Sequence, residues 1–217
     1  MKSTIINTFF NNSNNNPHKV AIYCRKDTIT YENLANRVIR KYFILKEFLS
    51  SDDVLCFQME NSIDSVETLL ASITLGITLA PINPTLPIKK MFKIAKAIKA
   101  KYCLPTLHNY QKMTEEEKVL GIPQNIYENN NTNEKNNYEE LNNQNTNSSF
   151  NLLSMTSGTT GEPKAFLLNE DCILNRIKSH IEAYNINDKD VILSSTPLYH
   201  FFLFRHREEE YQGFALQ

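Results

Sequence analysis

The chain has 217 residues, with 23 Lys and Arg against 24 Asp and Glu for a formal charge of −1. That length can bury roughly 70% of its unfolded surface, enough for one domain or two small ones. The near-neutral balance excludes a general nucleic-acid binder, and a composition of 41% hydrophobic residues with five glycines excludes collagen-like, disulfide-scaffold and membrane classes.

Residues 1–16 carry one Lys and a short apolar run broken by Asn7 and Thr8, then pass into asparagines with no small-residue cleavage site. They read as a disordered or loosely attached N-terminus, not a signal peptide. Residues 20–24 and 28–30 predict a hairpin around 25–27. Residues 31–49 predict an amphipathic helix, with Leu34, Val38, Tyr42 and Leu45 three or four apart and Thr30 as its N-cap. Residues 54–59 form a strand-like apolar run. Asn61 and Ser62 then open a helix to about Leu75, with Ile63, Val66, Leu69 or Leu70, and Ile73 on one face. Gly76 ends that helix, and residues 77–82 make the next strand, closed by Pro84 and Pro87. The longest apolar stretch, 68–82, is too short to span a bilayer. Residues 88–100 predict another helix. Its lysines (Lys89, Lys90, Lys93, Lys96 and Lys99, with Lys101 just beyond) read as a solvated face. A short strand at 102–104 follows. Strands separated by helical crossovers predict a parallel, doubly wound sheet.

The stretch 125–147 is asparagine-rich and almost free of aliphatic side chains, so it cannot bury enough apolar surface to offset its ordering entropy. We read 111–149 as a disordered insertion. It separates a first α/β block, 17–110, from a second, 150–204, and residues 205–217 form an atypical tail. The second block predicts strands at 150–155, 165–168 and 190–195. A helix capped by Asn169 runs to about Ala183, with Ile173, Ile177 and Ile181 on one face. Cys24, Cys56, Cys103 and Cys172 lie far apart with no CxxC pair. They read as free, mostly buried thiols in a reducing cytosol, and no metal site is expected.

The chemistry is concentrated in TSGTTGEPK, residues 156–164, which hold two of the five glycines. Gly158 and Gly161 let the backbone adopt positive φ and turn successive N–H groups toward one point, a concavity suited to a phosphate oxygen. Thr156, Ser157, Thr159 and Thr160 add hydroxyl donors, and Lys164 adds a compact cation. The spacing is not that of a Walker A loop, which has four residues between its glycines where this loop has two, nor that of GxGxxG. Read on residue types alone, a hydroxyl-rich turn with no ligand stays open.

The whole string resembles the phosphate loop of the adenylate-forming superfamily: acyl-CoA synthetases, aryl-CoA ligases and nonribosomal-peptide adenylation domains. Other segments agree. ITYENL at 29–34 resembles the family's "ITYxEL" segment. MENS at 59–62, followed by an apolar helix and GITLAPINP at 76–84, resembles its "NS…A…GA…VPLNP" run. PLYH at 197–200 resembles its "PLYH" motif.

The resemblance implies an α/β fold, the N-terminal part of an adenylate-forming enzyme's large domain, incomplete, with mixed or parallel sheets flanked by helices. It implies ATP-dependent activation of a carboxylic acid to an acyl-adenylate and transfer to a thiol. ATP, its Mg2+ and coenzyme A as co-substrate are the cofactors it implies, and a small carboxylic acid and a CoA or carrier-protein thiol are the partners. Residues 156–161 and Lys164 would hold the β- and γ-phosphates, Lys164 and His200 would be catalytic, and Tyr199 with His200 would lie at the acyl pocket. A fatty acid is the default substrate, and the cytoplasm the expected location.

Departures from the family pattern are also visible. Ala165 stands where the family usually has Gly, no glycine follows soon after His200, and residues 205–217 match no family segment. The adenine-binding "YGxTE"-type and ribose-binding "TGD"-type segments, the hinge and the lobe with the catalytic lysine are missing from these residues. The chain therefore reads as a fragment of a longer ligase, with a non-catalytic phosphate-binding module as the alternative. A sheet cut short would expose an unpaired edge and apolar helix faces.

Overall fold

The computed structural model describes residues 3–119, 121, 126, 150–156, 164–194, 196–200 and 214–216. A helix α1 (Thr4–Asn15) leads into the hairpin β1 (Val20–Cys24) and β2 (Asp27–Thr30), then α2 (Tyr31–Phe48) and β3 (Val54–Gln58). Next come α3 (Ile63–Leu75), β4 (Thr78–Ile82), α4 (Ile88–Ala97), β5 (Tyr102–Leu104), and the short α5 (Leu107–Tyr110) and α6 (Glu115–Lys118). The second block supplies β6 (Asn151–Thr156), β7 (Lys164–Asn169), α7 (Glu170–Tyr184), β8 (Ile192–Ser194), a 3-10 turn (Leu198–His200) and β9 (Phe214–Leu216).

The caps follow the side chains that the sequence offers. Thr30 accepts from the Asn33 N–H, Ser62 from Ser65, and Asn169 from Cys172. Gly76 closes α3 at φ 74°, in the left-handed region, and its N–H reaches the carbonyls of Ser72 and Ile73. A β-carbon there costs about 1–2 kcal/mol. Gly76→Ala should lower the urea midpoint accordingly, and an unchanged midpoint would refute the strain argument.

The main sheet has the order β5-β3-β4-β6-β7. Pairings β5–β3, β3–β4 and β4–β6 are parallel, whereas β7 runs antiparallel to β6. The expectation of an all-parallel, doubly wound sheet is thus corrected to a mixed one. The short connection 157–163 leaves no room for a helical crossover, so β6 and β7 pair as neighbours in a hairpin.

Period-two alternation divides the core between the two faces of the sheet. Leu55, Phe57 and Leu79 pack on one side with Val38, Tyr42 and Leu45 of α2 and Val66, Leu70 and Ala71 of α3. Cys56, Ile82 and Cys103 pack on the other with Met91 and Ala95 of α4. The lysines of α4 are exposed, as the helical spacing predicts. Cys56 and Cys103 face each other in register across β3–β5. The Cys103 contact and then burial push the Cys56 thiol well above its usual range, so it stays neutral. Cys24, Cys56 and Cys103 are free and buried, and Cys172 is free and exposed.

The smaller sheet, β2-β1-β9-β8, is antiparallel. It draws its β9 from the tail, which had matched no known segment, and inserts that strand between β1 and β8.

The N-terminus also departs from expectation. Residues 4–15 form a helix whose Ile6 and Phe9 enter the core. Ser3 caps it by accepting from the Ile6 N–H, and the Glu170 carboxylate accepts from the Ser3 hydroxyl at 2.7 Å and the Ile5 N–H at 3.1 Å. A carboxylate from the start of α7 thus satisfies the orphan donors of α1. Most of the Asn-rich stretch lies outside the described residues, although Ile126 is buried in the core.

On α7, Ile173 packs against the core, while Ile177, Ile181 and Tyr184 are exposed. Phe166 and Leu167 of the edge strand β7 are exposed as well.

Candidate functional site

Because β3, β4, β5 and β6 run parallel, their C-terminal ends share one edge of the sheet. Loops at that edge are where open α/β sheets bind ligands. The β4–β6 ladder is paired at Thr78 and Leu79, and Pro81 has no N–H to extend it.

The string 156–164 begins on the last residue of β6 and ends on the first of β7, and Thr156 and Lys164 are register partners. Its two ends are therefore held side by side at the C-terminal end of β6. Ser157, Gly158, Thr159, Thr160 and Gly161 lie outside the described residues.

Tyr199 and His200 occupy the 3-10 turn, which lies against β4, the strand next to β6. Leu198 and Tyr199 pack on the core, His200 is exposed, and the two rings meet at 4.2 Å between centroids with a 42° tilt. The His200 N–H closes the turn on the Pro197 carbonyl at 3.0 Å.

Two amides that brace this edge went unrecognised as site residues at the level of sequence. Gln58, 1% exposed at the end of β3, donates to the Leu86 carbonyl at 2.9 Å. Its Oε1 accepts from the Thr106 N–H at 3.1 Å and from Asn109 Nδ2 at 2.8 Å. It thereby joins the loops that follow β4 and β5. Asn61, read only as a helix opener, donates through Nδ2 to the Thr196 carbonyl at 3.2 Å and accepts at Oδ1 from the Leu198 N–H at 2.8 Å. The only signal for Gln58 is a lone amide closing an apolar strand, since buried amides need partners. Nothing local announces a partner for Asn61, because it lies 135 residues away.

Among the described residues, no three His, Cys, Asp or Glu side chains cluster to hold a metal, and no helix is long and apolar enough to cross a membrane.

A mixed α/β sheet with a Gly/Thr/Lys string at the C-terminal end of a parallel strand defines the class of nucleotide-using α/β folds. The match to the AMP-binding enzyme family runs over residues 9–206, and the chain belongs to that family. It is 29% identical over 185 residues to zwittermicin A synthase ZmaJ of Bacillus cereus, a match covering 83% of this chain and 34% of the relative. It is 24% identical over 196 residues to gramicidin S synthase 2 of Brevibacillus brevis, covering 89% of the chain and 4% of the relative. O-succinylbenzoate coenzyme A synthetase (MenE) of Bacillus subtilis, solved in complex with AMP, shares the fold with TM-score 0.66 and 17% identity. That match covers 88% of this chain and 49% of the solved one. The chain therefore spans about a third or less of the two curated relatives' length.

Proposed function

We propose that the chain contributes the phosphate loop and part of the acid site for ATP-dependent activation of a small carboxylic acid to an acyl-adenylate, with transfer to a thiol. The observation that carries this reading is the string TSGTTGEPK, anchored by the Thr156–Lys164 pair at the strand end next to β4, against which the Tyr199–His200 turn lies.

In the reaction, a carboxylate oxygen attacks the α-phosphorus, the bond to pyrophosphate breaks, and the thiolate then displaces AMP from the acyl carbon. Thr156, Ser157, Gly158, Thr159, Thr160, Gly161 and Lys164 hold the β- and γ-phosphates and stabilise the charge that develops on the leaving pyrophosphate. Mg2+ enters bound to the nucleotide. Tyr199 and His200 face the acid, and His200, on an exposed turn, supplies a donor to its carboxylate.

The names of the two curated relatives mention no fatty acid, and the solved neighbour is a coenzyme A synthetase. The acid and the thiol acceptor, coenzyme A or a carrier protein, are decided by assay. The test is carboxylate-dependent ATP–pyrophosphate exchange by the full chain over fatty, aromatic and amino acids, alongside calorimetric titration with MgATP. We expect MgATP binding that pyrophosphate competes away, and exchange stimulated by one acid class. No heat and no competition would overturn the assignment.

A second reading, a module that binds nucleotide without turnover, is favoured by the chain's 34% coverage of the zwittermicin relative. Binding without exchange for any acid would select it.

A further inference from the structure

We infer that Asn61 is a positioning residue that holds the Pro197–His200 turn in place for the acid, an inference that rests on the activation reading above. The geometry is a two-point clamp. A single planar amide uses its acceptor on the Leu198 N–H at 2.8 Å and its donor on the Thr196 carbonyl at 3.2 Å, so the two contacts fix both the position and the direction of the chain entering the turn. The Thr196 carbonyl is also an acceptor for the Ser194 hydroxyl, 1% exposed, at 3.1 Å.

The clamp is itself held from behind. The buried Cys24 thiol, at the end of β1, donates to the Asn61 carbonyl at 3.7 Å. The next residue, Ser62, caps α3. Asn61 therefore stands between the rigid start of α3 and the turn that carries Tyr199 and His200. Tyr199 rests on the core, and His200 projects from the turn's exposed end. A turn resting on the core through Leu198 and Tyr199 alone could slide or rotate. The amide contacts exclude that freedom, and a site on a rigid element keeps its geometry. Only an amide of this length offers one acceptor and one donor side by side. Aspartate keeps the contact to the Leu198 N–H but sets a carboxylate oxygen against the Thr196 carbonyl.

The test compares the full chain with Asn61→Ala, Asn61→Asp and Ser62→Ala. Backbone amide hydrogen exchange at 198–200 and the two Michaelis constants of ATP–pyrophosphate exchange, for acid and for MgATP, are read in each. In Asn61→Ala we expect amide protection at 198–200 to fall while that of α3 is kept. The acid KM should rise about tenfold, as for loss of two hydrogen bonds, with the MgATP KM unchanged. Asn61→Asp, nearly isosteric, should show a smaller effect of the same kind if the alanine variant folds poorly. Ser62→Ala should lower the melting temperature without moving the acid KM.

Unchanged protection at 198–200 in both Asn61 variants would overturn the clamp. Parallel shifts in both Michaelis constants, matched by Ser62→Ala, would reduce Asn61 to a structural residue and also overturn the proposal. If the unaltered chain exchanges with no acid, the activation reading falls and takes the acid role with it. The amide protection then still decides whether Asn61 holds the turn.

Discussion

Lys164→Ala is expected to lower ATP–pyrophosphate exchange by about tenfold to hundredfold and to weaken MgATP binding comparably. A hydrogen bond to a charged group contributes about 1.5–3 kcal/mol, and each 1.4 kcal/mol is tenfold in rate or affinity. The string supplies one cation among its hydroxyls and N–H donors, so the charge of Lys164 has no local substitute in the loop except backbone dipoles. The substitution keeps the backbone, and Thr156 and Lys164 are joined as strand partners through the main chain, so the melting temperature should move little. Lys164→Arg keeps the charge and should retain more activity than the alanine variant. If Lys164→Ala exchanges and binds as the unaltered chain does, the phosphate-loop assignment falls.

Lys41→Met should cost about 3–5 kcal/mol of stability, read as a lower urea midpoint at constant slope. Lys41 is 4% exposed between α2 and α3 and forms ion pairs with Asp64 and with Glu67, the latter at 3.6 Å. It also donates to the Thr68 hydroxyl at 3.3 Å. Glu67, with a side chain 1% exposed, is paired on its other oxygen with Arg37 at 2.6 Å. Methionine keeps most of the stem's volume, so the loss reports the charge: Glu67 is left buried with only Arg37, while Asp64, half-exposed, regains water.

Adding Glu67→Gln to Lys41→Met should return on the order of half that loss, because the buried carboxylate that has lost its lysine is then gone. Burial pushes the Glu67 carboxyl above its usual range, and Lys41 and Arg37 oppose that rise. The folded state therefore binds this proton more tightly than the unfolded chain does. Glu67's contribution is present in acid and declines as pH rises through and just above the usual carboxylate range. Without Lys41 the decline should steepen, and Glu67→Gln should remove it. A Lys41→Met variant as stable as the unaltered chain would refute the buried-network account.

Much of the first block was legible because its signals are local. Thr30, Ser62 and Asn169 cap the helices they precede, and Gly76 closes α3 where the pattern places it. The apolar spacing of α2, the exposed lysines of α4 and the strands at 54–58 and 102–104 follow from periodicity that needs no partner. The phosphate-loop string was legible for a different reason: its glycines, hydroxyls and lysine are contiguous, so one short window holds the whole chemical idea.

The first helix was misread as loose because its asparagines outnumber its apolar residues. Ile6 and Phe9 suffice once α1 has a core to meet and the Glu170 carboxylate to cap it, and both lie far along the chain or across the fold. The direction of β7 was missed for a related reason. A strand's polarity depends on its neighbour, and the apolar run at 165–168 reads the same either way.

The sequence by itself determined the local elements, their caps and the family string, since each rests on contacts within a few residues. Only the tertiary structure decided that four strand ends share one edge, that residues 214–216 enter the small sheet, and that Asn61 and Gln58 brace the loops. Those facts are pairings between backbone and amide groups tens to more than a hundred residues apart. Every residue carries the same backbone donor and acceptor, so nothing in a one-dimensional pattern specifies which will meet.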